Sequence, residues 1–446
     1  MPCFLEGAWL KSLFARDNHD CYWSHQAQLG FTMKILMLAP QPFFEPRGTP
    51  LSILGRLKAL SELGHEVDLI TYHVGQNVDI PNVVIHRTPK MAFISAVSVG
   101  PSLKKLFLDI FVMTKAIRLL RKERYSLLHT HEEASFFGVP LARLFKIPHL
   151  YDMHSSLPQQ LTNFRYSRFR LLISLFGWLE HKVINSSSAL ITICPALEEH
   201  ARRINGKVPH VMIENVASEV DPEIVSEEDV RRFSADHGLE DRKIVLYAGT
   251  FEPYQGIDLL VTSAGRIIRR RKDVLFLLMG GKPDQVRHYK SMAGNLGLSS
   301  YFRFTGVRPP EEIQQAVKLS HVLVSPRMSG TNTPLKIYAY LRSGKPIVAT
   351  KIRSHTQVLT PEVSVLVEPA PDALAEGVLS VLDSTQIASR LGLQARRLFN
   401  GRYSFEGYLR KTQEVLQMAV SHRHLAGLVW GLLASSLGMP LCVSSQ

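Results

Sequence analysis

From Lys34 onward, short apolar runs alternate with longer segments whose apolar positions recur every three or four residues. This alternation predicts strands separated by amphipathic helices, and therefore parallel sheets covered on both faces. The first unit reads as a strand over 34–39, a loop through Pro46, Arg47, Gly48, Thr49 and Pro50, and a helix carrying Leu51, Leu54, Leu57 and Leu60. Gly64 closes that helix before a strand over 67–71. Further strands are expected over 127–130, 149–152 and 189–193. A second series opens at 243–247 and continues over 274–279, 302–305, 321–325, 347–350 and 364–367. A polar, acidic stretch over 218–241, with a short helix, separates the two series. The fold class is α/β with two Rossmann-like halves and no short-period repeat.

Composition narrows the class without choosing a function. With 45% hydrophobic and 20% charged residues the chain is neither disordered nor collagenous. The net charge of +13 calls for phosphate-bearing ligands, an anionic membrane surface or nucleic acid. Cys3, Cys21, Cys194 and Cys442 form no CxxC pair and have no His at metal-ligand spacing, so reduced thiols in the cytoplasm are expected. Residues 1–32 contain no apolar run of signal-peptide length and read as a poorly ordered extension, with Met33 as the functional start.

In open parallel sheets, ligands bind beyond the carboxyl ends of the strands. There Thr333 reads as an N-cap and Pro334 as the first residue of a helix carrying Leu335, Ile337, Tyr338 and Leu341, with Gly344 and Pro346 ending it. Free backbone N–H groups, Gly330, Arg327 and Lys336 at one helix start suit a phosphate or diphosphate; the alternative is an ordinary capped helix with two solvated cations. The loop 249–256 has the placement of a phosphate cradle but neither GxGxxG spacing nor a Walker lysine, so a plain tight turn stands beside the functional reading. In the first half, Arg47 and Gly48, the segment from His129 through His131, Glu132 and Glu133, and Asp152 with His154 all follow strands. His154 is a candidate site residue or a structural histidine. Glu132 and Glu133 suit a sugar hydroxyl, base chemistry, or capping of the next helix.

Residues 33 to about 420 resemble glycosyltransferase family 4 (group 1) enzymes of GT-B fold. The carrying segments are the Gly48 loop with Leu63-Gly64-His65-Glu66-Val67, 129–133, Tyr151-Asp152-Met153-His154, Ile213-Glu214-Asn215-Val216, 249–256, Phe304-Thr305-Gly306, Pro334-Leu335-Lys336-Ile337-Tyr338, and 344–350. The resemblance implies two Rossmann-like domains with parallel sheets facing a central cleft: an acceptor-binding domain over 33–217, a connection over 218–242 and a donor-binding domain over 243–401. It further implies a helix over 402–420 crossing back to the first domain, ahead of an apolar tail over 421–446. A nucleotide diphosphate sugar is the implied donor substrate, with no cofactor and no metal, and transfer retains the anomeric configuration.

The implied donor-binding residues are Gly48, Gly249, Thr250, Gln255, Gly256, Lys282, Gly306, Arg308, Gly330, Thr331, Asn332, Thr333 and Pro334. Arg47, His131, Glu132, Glu133 and Asp152 fall on the acceptor side, and His154, Arg327 and Lys336 carry catalysis, His154 by bonding the transferred sugar. The family's paired glutamates are replaced by Thr331 and Ala339, and its usual Arg and Lys of the first C-terminal loop by Thr250 and Gln255. We read Arg327, Lys336 and the amides of Asn332 and Thr333 as substitutes. A non-catalytic GT-B protein binding a nucleotide or sugar, and a nucleotide-sugar epimerase, are the alternatives.

The segment 103–124 interleaves Lys104, Lys105, Lys115, Arg118, Arg121, Lys122 and Arg124 with apolar residues. It reads either as a helix lying on a membrane surface or as one packing its apolar side on the sheet. With Arg165, Arg168 and Arg170 in 164–178, it leads us to expect a protein peripheral on the cytoplasmic face of a membrane, with a glycan or lipid-linked acceptor. Nucleic acid is not expected, since no binding module accompanies the charge. The tail 425–443 has no charge and reaches spanning length, but Ser435, Ser436, Gly438 and Pro440 weaken a helix there.

Overall fold

The computed structural model describes residues 32–45, 48–91, 94, 97, 102–158, 170–214 and 225–436. Arg47, Arg165, Arg168, positions 1–31 and the end of the tail lie outside the described residues. Among those described, 32–214 with 406–436 form one compact unit and 225–405 the other.

The first unit contains β1 (Lys34–Leu38), α1 (Gly48–Glu62), β2 (Glu66–Thr71), β3 (Val83–Arg87), α2 (Leu103–Lys122), β4 (Leu127–His131), α3 (Ala134–Leu144), β5 (His149–Met153), α4 (Arg170–Ser186), β6 (Ala189–Thr192), α5 (Pro195–Ile204) and β7 (His210–Met212). They build a seven-stranded parallel sheet in the order β3-β2-β1-β4-β5-β6-β7. The second unit follows with α6 (Glu227–His237), β8 (Lys243–Ala248), α7 (Ile257–Arg270), β9 (Val274–Met279), α8 (Pro283–Asn295), β10 (Phe302–Gly306), α9 (Pro310–Leu319) and β11 (Val322–Ser325). It ends with α10 (Leu335–Ser343), β12 (Ile347–Thr350), α11 (Arg353–Thr356), β13 (Val365–Val367), α12 (Pro371–Leu382) and α13 (Thr385–Arg402). Its six-stranded parallel sheet runs β10-β9-β8-β11-β12-β13. Helix α14 (Phe405–Ser436) closes the chain as one continuous element, past position 420 where a separate tail was expected.

The central strands are the continuous apolar runs. β9, Val-Leu-Phe-Leu-Leu-Met, is buried at every position, because a parallel strand with helices on both faces has no solvent side. The edge strands β3 and β7 carry no such run and are additions to the sequence reading. β3 is half-exposed and includes His86 and Arg87, and β7 spans three residues. Each sheet reverses its strand order once, between β1 and β4 in the first unit and between β8 and β11 in the second. Those reversals open crevices at the carboxyl edges, where loops diverge to opposite faces.

Helix α2 packs Leu108, Val112, Ala116 and Leu120 into the core at four-residue spacing, the bland arrangement of its two expectations. Lys105 turns inward to Glu133 at 2.9 Å, and Lys115 donates to the Arg87 carbonyl. Leu106, Phe107 and Ile110 nevertheless stand exposed near Lys104, while Arg118, Arg121 and Lys122 are exposed farther along the helix. No helix among the described residues is long and apolar enough to cross a membrane.

Candidate functional site

At the reversal in the second unit, the loops after β8 and β11 are joined by the Met328 amide donating to the Tyr254 carbonyl at 2.9 Å. Gly256, with φ +73°, lies so close to the Pro326 carbonyl that a side chain there would collide with it. The loop after β11 is held from behind as well. Ser325 Oγ donates to His355 Nε2 at 2.9 Å, His355 Nδ1–H donates to the Thr350 carbonyl at 2.8 Å, and Thr350 Oγ1 donates to the Arg327 carbonyl. Burial pushes His355 down to about 4, so this imidazole is a neutral brace at physiological pH.

Lys336 is the second residue of α10, yet its Nζ does not reach solvent. It folds back under Gly249, where a Cβ would stand 2.7 Å from Nζ, and rests 3.7 Å from the centroid of the Tyr247 ring. Although the residue as a whole is half-buried, Nζ is shut off from water and has no hydrogen-bond partner among the described residues. Burial, and then the nearby Arg327 charge, hold its pKa well below that of an ordinary lysine. Arg327 stacks its guanidinium 5.2 Å from the Tyr254 ring and donates to the carbonyls of Ser329 (2.7 Å) and Asn332 (3.0 Å). A side chain at Gly330 would strike that guanidinium. The alternative of two solvated cations is not what the structure holds: both side chains are drawn into the loop by aromatic faces and carbonyls.

The helix cap is corrected too. Pro334 is the N-cap of α10, and Thr333 lies outside it, accepting from Gln357 Nε2 at 2.8 Å. The same Gln357 amide donates to the Thr331 carbonyl at 2.9 Å, while Thr331 Oγ1 bonds Asn332 Oδ1 at 3.4 Å. Thr250 gives its carbonyl to the Tyr247 hydroxyl at 2.6 Å. Gln255 is buried, and its Oε1 has no partner among the described residues. Gly306 accepts from the Gly280 amide at 2.7 Å, closing the neighbouring loop. Lys282 and Arg308 do not join the Lys336 cluster by any described contact: Lys282 is 73% exposed and paired with Glu252, and Arg308 pairs with Glu312.

At the reversal in the first unit, Glu132 follows β4 in a left-handed conformation, φ +48°. Its carboxylate accepts from Gln41 Nε2 at 2.6 Å, in the loop after β1, and from Thr49 Oγ1 at 3.4 Å, beside Gly48 at the start of α1. Burial, and then Glu133, push Glu132 up to about 7. Neither glutamate caps α3 with its side chain; Glu133 occupies the N-cap position but faces Lys105.

Behind Glu132 lies a fully enclosed polar cluster. Asp152 accepts from Arg56 Nε at 3.0 Å and has His129, His131 and His154 within 3.5, 3.8 and 3.4 Å. Burial alone would raise Asp152; Arg56 and the histidines overcome it and hold the carboxyl well below the usual range. Burial keeps all three histidines below their ordinary value. His129, His131 and Asp152 offer ligand atoms within 4.8 Å of one another, a spacing that raises the question of a metal. Arg56 already neutralises the carboxylate and occupies one of its oxygens, so a divalent cation here would bury excess positive charge. The cluster is held by the Arg56–Asp152 ion pair and the 2.9 Å His131–His154 bond, while both nitrogens of His129, His131 Nε2 and Asp152 Oδ1 have no hydrogen-bond partner among the described residues. Sequence reasoning missed Arg56, Gln41 and Tyr247. Arg56 had a signal: it sits three residues after Ile53 and four before Leu60, on the apolar face of α1.

Residues 229–398 match the family model for group 1 glycosyl transferases, and 48–215 that for glycosyl transferase 4-like domains. An uncharacterized glycosyltransferase of Methanocaldococcus jannaschii is 23% identical over 403 residues, 87% of this chain and 99% of its own. The phosphatidyl-myo-inositol mannosyltransferase of Mycolicibacterium smegmatis is 24% identical over 379 residues, 82% of this chain and 88% of its own. Among solved structures, Anabaena HepE in complex with UDP is similar with a TM-score of 0.69 at 18% identity, covering 86% of this chain and 100% of that one.

Proposed function

The chain belongs to the group 1 glycosyltransferases of GT-B fold, and from that premise we propose that it moves a sugar from a nucleotide diphosphate sugar to an acceptor hydroxyl with retention of anomeric configuration. One observation carries the donor assignment: the Lys336 amine, enclosed and without a hydrogen-bond partner among the described residues, at the start of α10. A buried amine kept without a counter-charge destabilises the protein unless a ligand supplies one. A diphosphate fits, since α10 adds the positive end of its dipole and Arg327 adds a second cation. The UDP bound by HepE supports a nucleotide donor.

Breaking the bond to the sugar builds negative charge on the diphosphate oxygens. Lys336, Arg327 and the α10 N-terminus are in place before that charge develops, so they stabilise the transition state more than the ground state. The arriving diphosphate raises the Lys336 pKa again, so the amine takes up a proton from solvent as the donor binds and is charged before the bond to the sugar breaks. In this reading two cations and a helix terminus replace the paired glutamates and do without a metal. His154 and Asp152 belong to recognition of the sugar and acceptor in the first unit. The exposed Leu106, Phe107 and Ile110, with the α2 cations, support contact with an anionic membrane and a lipid-linked acceptor. So does the phosphatidyl-inositol substrate in the name of the mycobacterial relative.

The test is a calorimetric screen of UDP, GDP and ADP and their sugars against the full chain, followed by turnover and anomer analysis of the product. Selective binding of one nucleotide and an α-linked product from an α-linked donor are expected. Binding with no turnover would overturn catalysis in favour of a binding protein, and interconversion of the donor without acceptor would make it an epimerase. No binding across the panel would overturn the donor site.

A further inference from the structure

We propose that Arg56 and Tyr408 are positioning residues, through which the last helix of the chain sets the hydrogen-bonding state of His131 and His154. The inference rests on the glycosyl-transfer reading, in which these histidines serve the sugar and acceptor.

The contacts form one line through the first unit. Tyr408, in the first turn of α14, places its ring 5.0 Å from the Arg56 guanidinium carbon. Its hydroxyl stands over Gly55, 3.7 Å from where a Cβ would be. Arg56, 1% exposed, meets Asp152, 0% exposed, at 3.0 Å. Asp152 then faces three imidazoles. An ionised carboxylate only accepts, so a ring nitrogen bonded to it carries the proton. His154 Nε2 lies 3.4 Å from Asp152 Oδ1 and 2.9 Å from His131 Nδ1. The His131–His154 bond needs a proton on one nitrogen and a lone pair on the other. Asp152 Oδ1 makes no hydrogen bond among the described residues. Its charge, 3.4 Å from His154 Nε2 against 3.8 Å from Asp152 Oδ2 to His131 Nδ1, favours the proton on His154 Nε2, so that His131 Nδ1 accepts and the His131 proton stands on Nε2. One carboxylate thus assigns the tautomers of two histidines, and their ring stacking, with centroids 5.1 Å apart, holds the pair in place.

Arg56 is essential to this arrangement. Without it, Asp152 would be an uncompensated buried charge among His129, His131 and His154, and would draw a proton onto one of them. Imidazolium donates from both nitrogens, so a proton drawn onto His131 would remove the acceptor at its Nδ1 and the pair would separate. Tyr408 in turn keeps the buried guanidinium in a favourable field and screens it from water. The docking of α14 does not rest on Tyr408 alone, since Lys411 also pairs with buried Glu214 at 2.5 Å. The charged and titratable groups acting on His131 and His154 are Asp152 from β5, Arg56 from α1 and His129 from β4, and Tyr408 of α14 reaches them through Arg56.

The experiment uses the full chain with ¹³C-labelled histidine rings and the variants Arg56→Met, Arg56→Lys, Tyr408→Leu and Tyr408→Phe. In Arg56→Met, the acid limb of kcat and the titration of a buried imidazole should both move up by about one pH unit, a tenfold change in protonation ratio, with donor KM unchanged. Tyr408→Leu should shift both in the same direction, and Tyr408→Phe, which keeps the ring, should match the parent. Arg56→Lys, which keeps the charge, should recover most of the shift. Lower melting temperatures with unmoved imidazole titrations would overturn the proposal and leave Arg56 and Tyr408 merely structural. Should Arg56→Met not fold, the Tyr408 pair decides by the same readout. A chain that turns over no donor overturns the glycosyl-transfer reading, while the imidazole titration still decides the positioning.

Discussion

The Lys336 amine lies 3.7 Å from the centre of the Tyr247 ring, enclosed and without a hydrogen-bond partner among the described residues. The ring face compensates the positive charge only in part, so under the proposed donor role function and stability conflict at this residue. Lys336→Met should bind the nucleotide diphosphate about 10–100-fold more weakly by calorimetry. The same variant should melt higher by a few degrees, since a shift of about 1 kcal/mol moves a unit of this size by roughly 2–4 °C. A variant that binds as tightly as the parent removes Lys336 from the donor site.

Binding should also take up protons. Burial, and then Arg327, hold the Lys336 pKa well below its ordinary value, and an arriving diphosphate raises it again. The binding enthalpy should therefore depend on the ionisation heat of the buffer, and affinity should fall as pH rises. Titrations in phosphate and in Tris at one pH check this; equal enthalpies would mean that the protonation state of Lys336 does not change.

Gly249 has φ +149°, outside the range of ordinary side chains, and a Cβ there meets the Lys336 amine at 2.7 Å. Gly249→Ala should push the amine away from the Tyr247 face. The expected outcome is loss of nucleotide binding with β8 and its sheet intact, read by calorimetry beside circular dichroism.

Glu132 is pushed up to about 7 by burial and then by Glu133, against a usual value of 4.5. Between those values the native carboxyl holds a proton that the unfolded chain has released, so stability falls as pH rises from about 4.5 to 7 and levels above it. Asp109, also pushed up to about 7 by burial and then Glu133, acts in the same direction. Glu132→Gln should keep an acceptor for Gln41 or Thr49 and remove part of this slope. Chemical denaturation at pH 5 and pH 7.5 should show the variant gaining on the parent, by on the order of 1–3 kcal/mol, only at the higher pH.

Leu106, Phe107 and Ile110 are exposed on α2 and lie outside its core-facing row. Replacing all three with serine should leave the melting temperature within about 2 °C, because these side chains bury little on folding. Sedimentation with vesicles containing anionic lipid should fall several-fold. Undiminished sedimentation would place membrane contact elsewhere or nowhere.

The sheets were readable because their central strands are unbroken apolar runs, as at 274–279. β3 and β7 were not, since an edge strand needs only one apolar side and β3 mixes Val83, Val84 and Ile85 with His86 and Arg87. The loops of the site were found by their position after strands, but the direction of the side chains was not. Lys336 is written like any cation at a helix start, and nothing in its neighbours along the chain reveals that Tyr247 and Gly249, far away in sequence, make room for it. The neighbours of Arg56 mark its place on the apolar face of α1 but not its partners, Asp152 and Tyr408, which come from β5 and α14.

Helix α14 gives the order of synthesis a consequence. The strands of the first unit leave the ribosome early, but Tyr408 and Lys411 emerge only after the whole second unit. The half of the protein that is translated first is completed last. Until then its buried arginine lacks the aromatic cover and Glu214 lacks its cation, so a nascent or truncated first half meets the quality-control machinery with an open seam. Premature stop codons at positions 405–411 should thus damage the N-terminal half, although every one of its strands has been made.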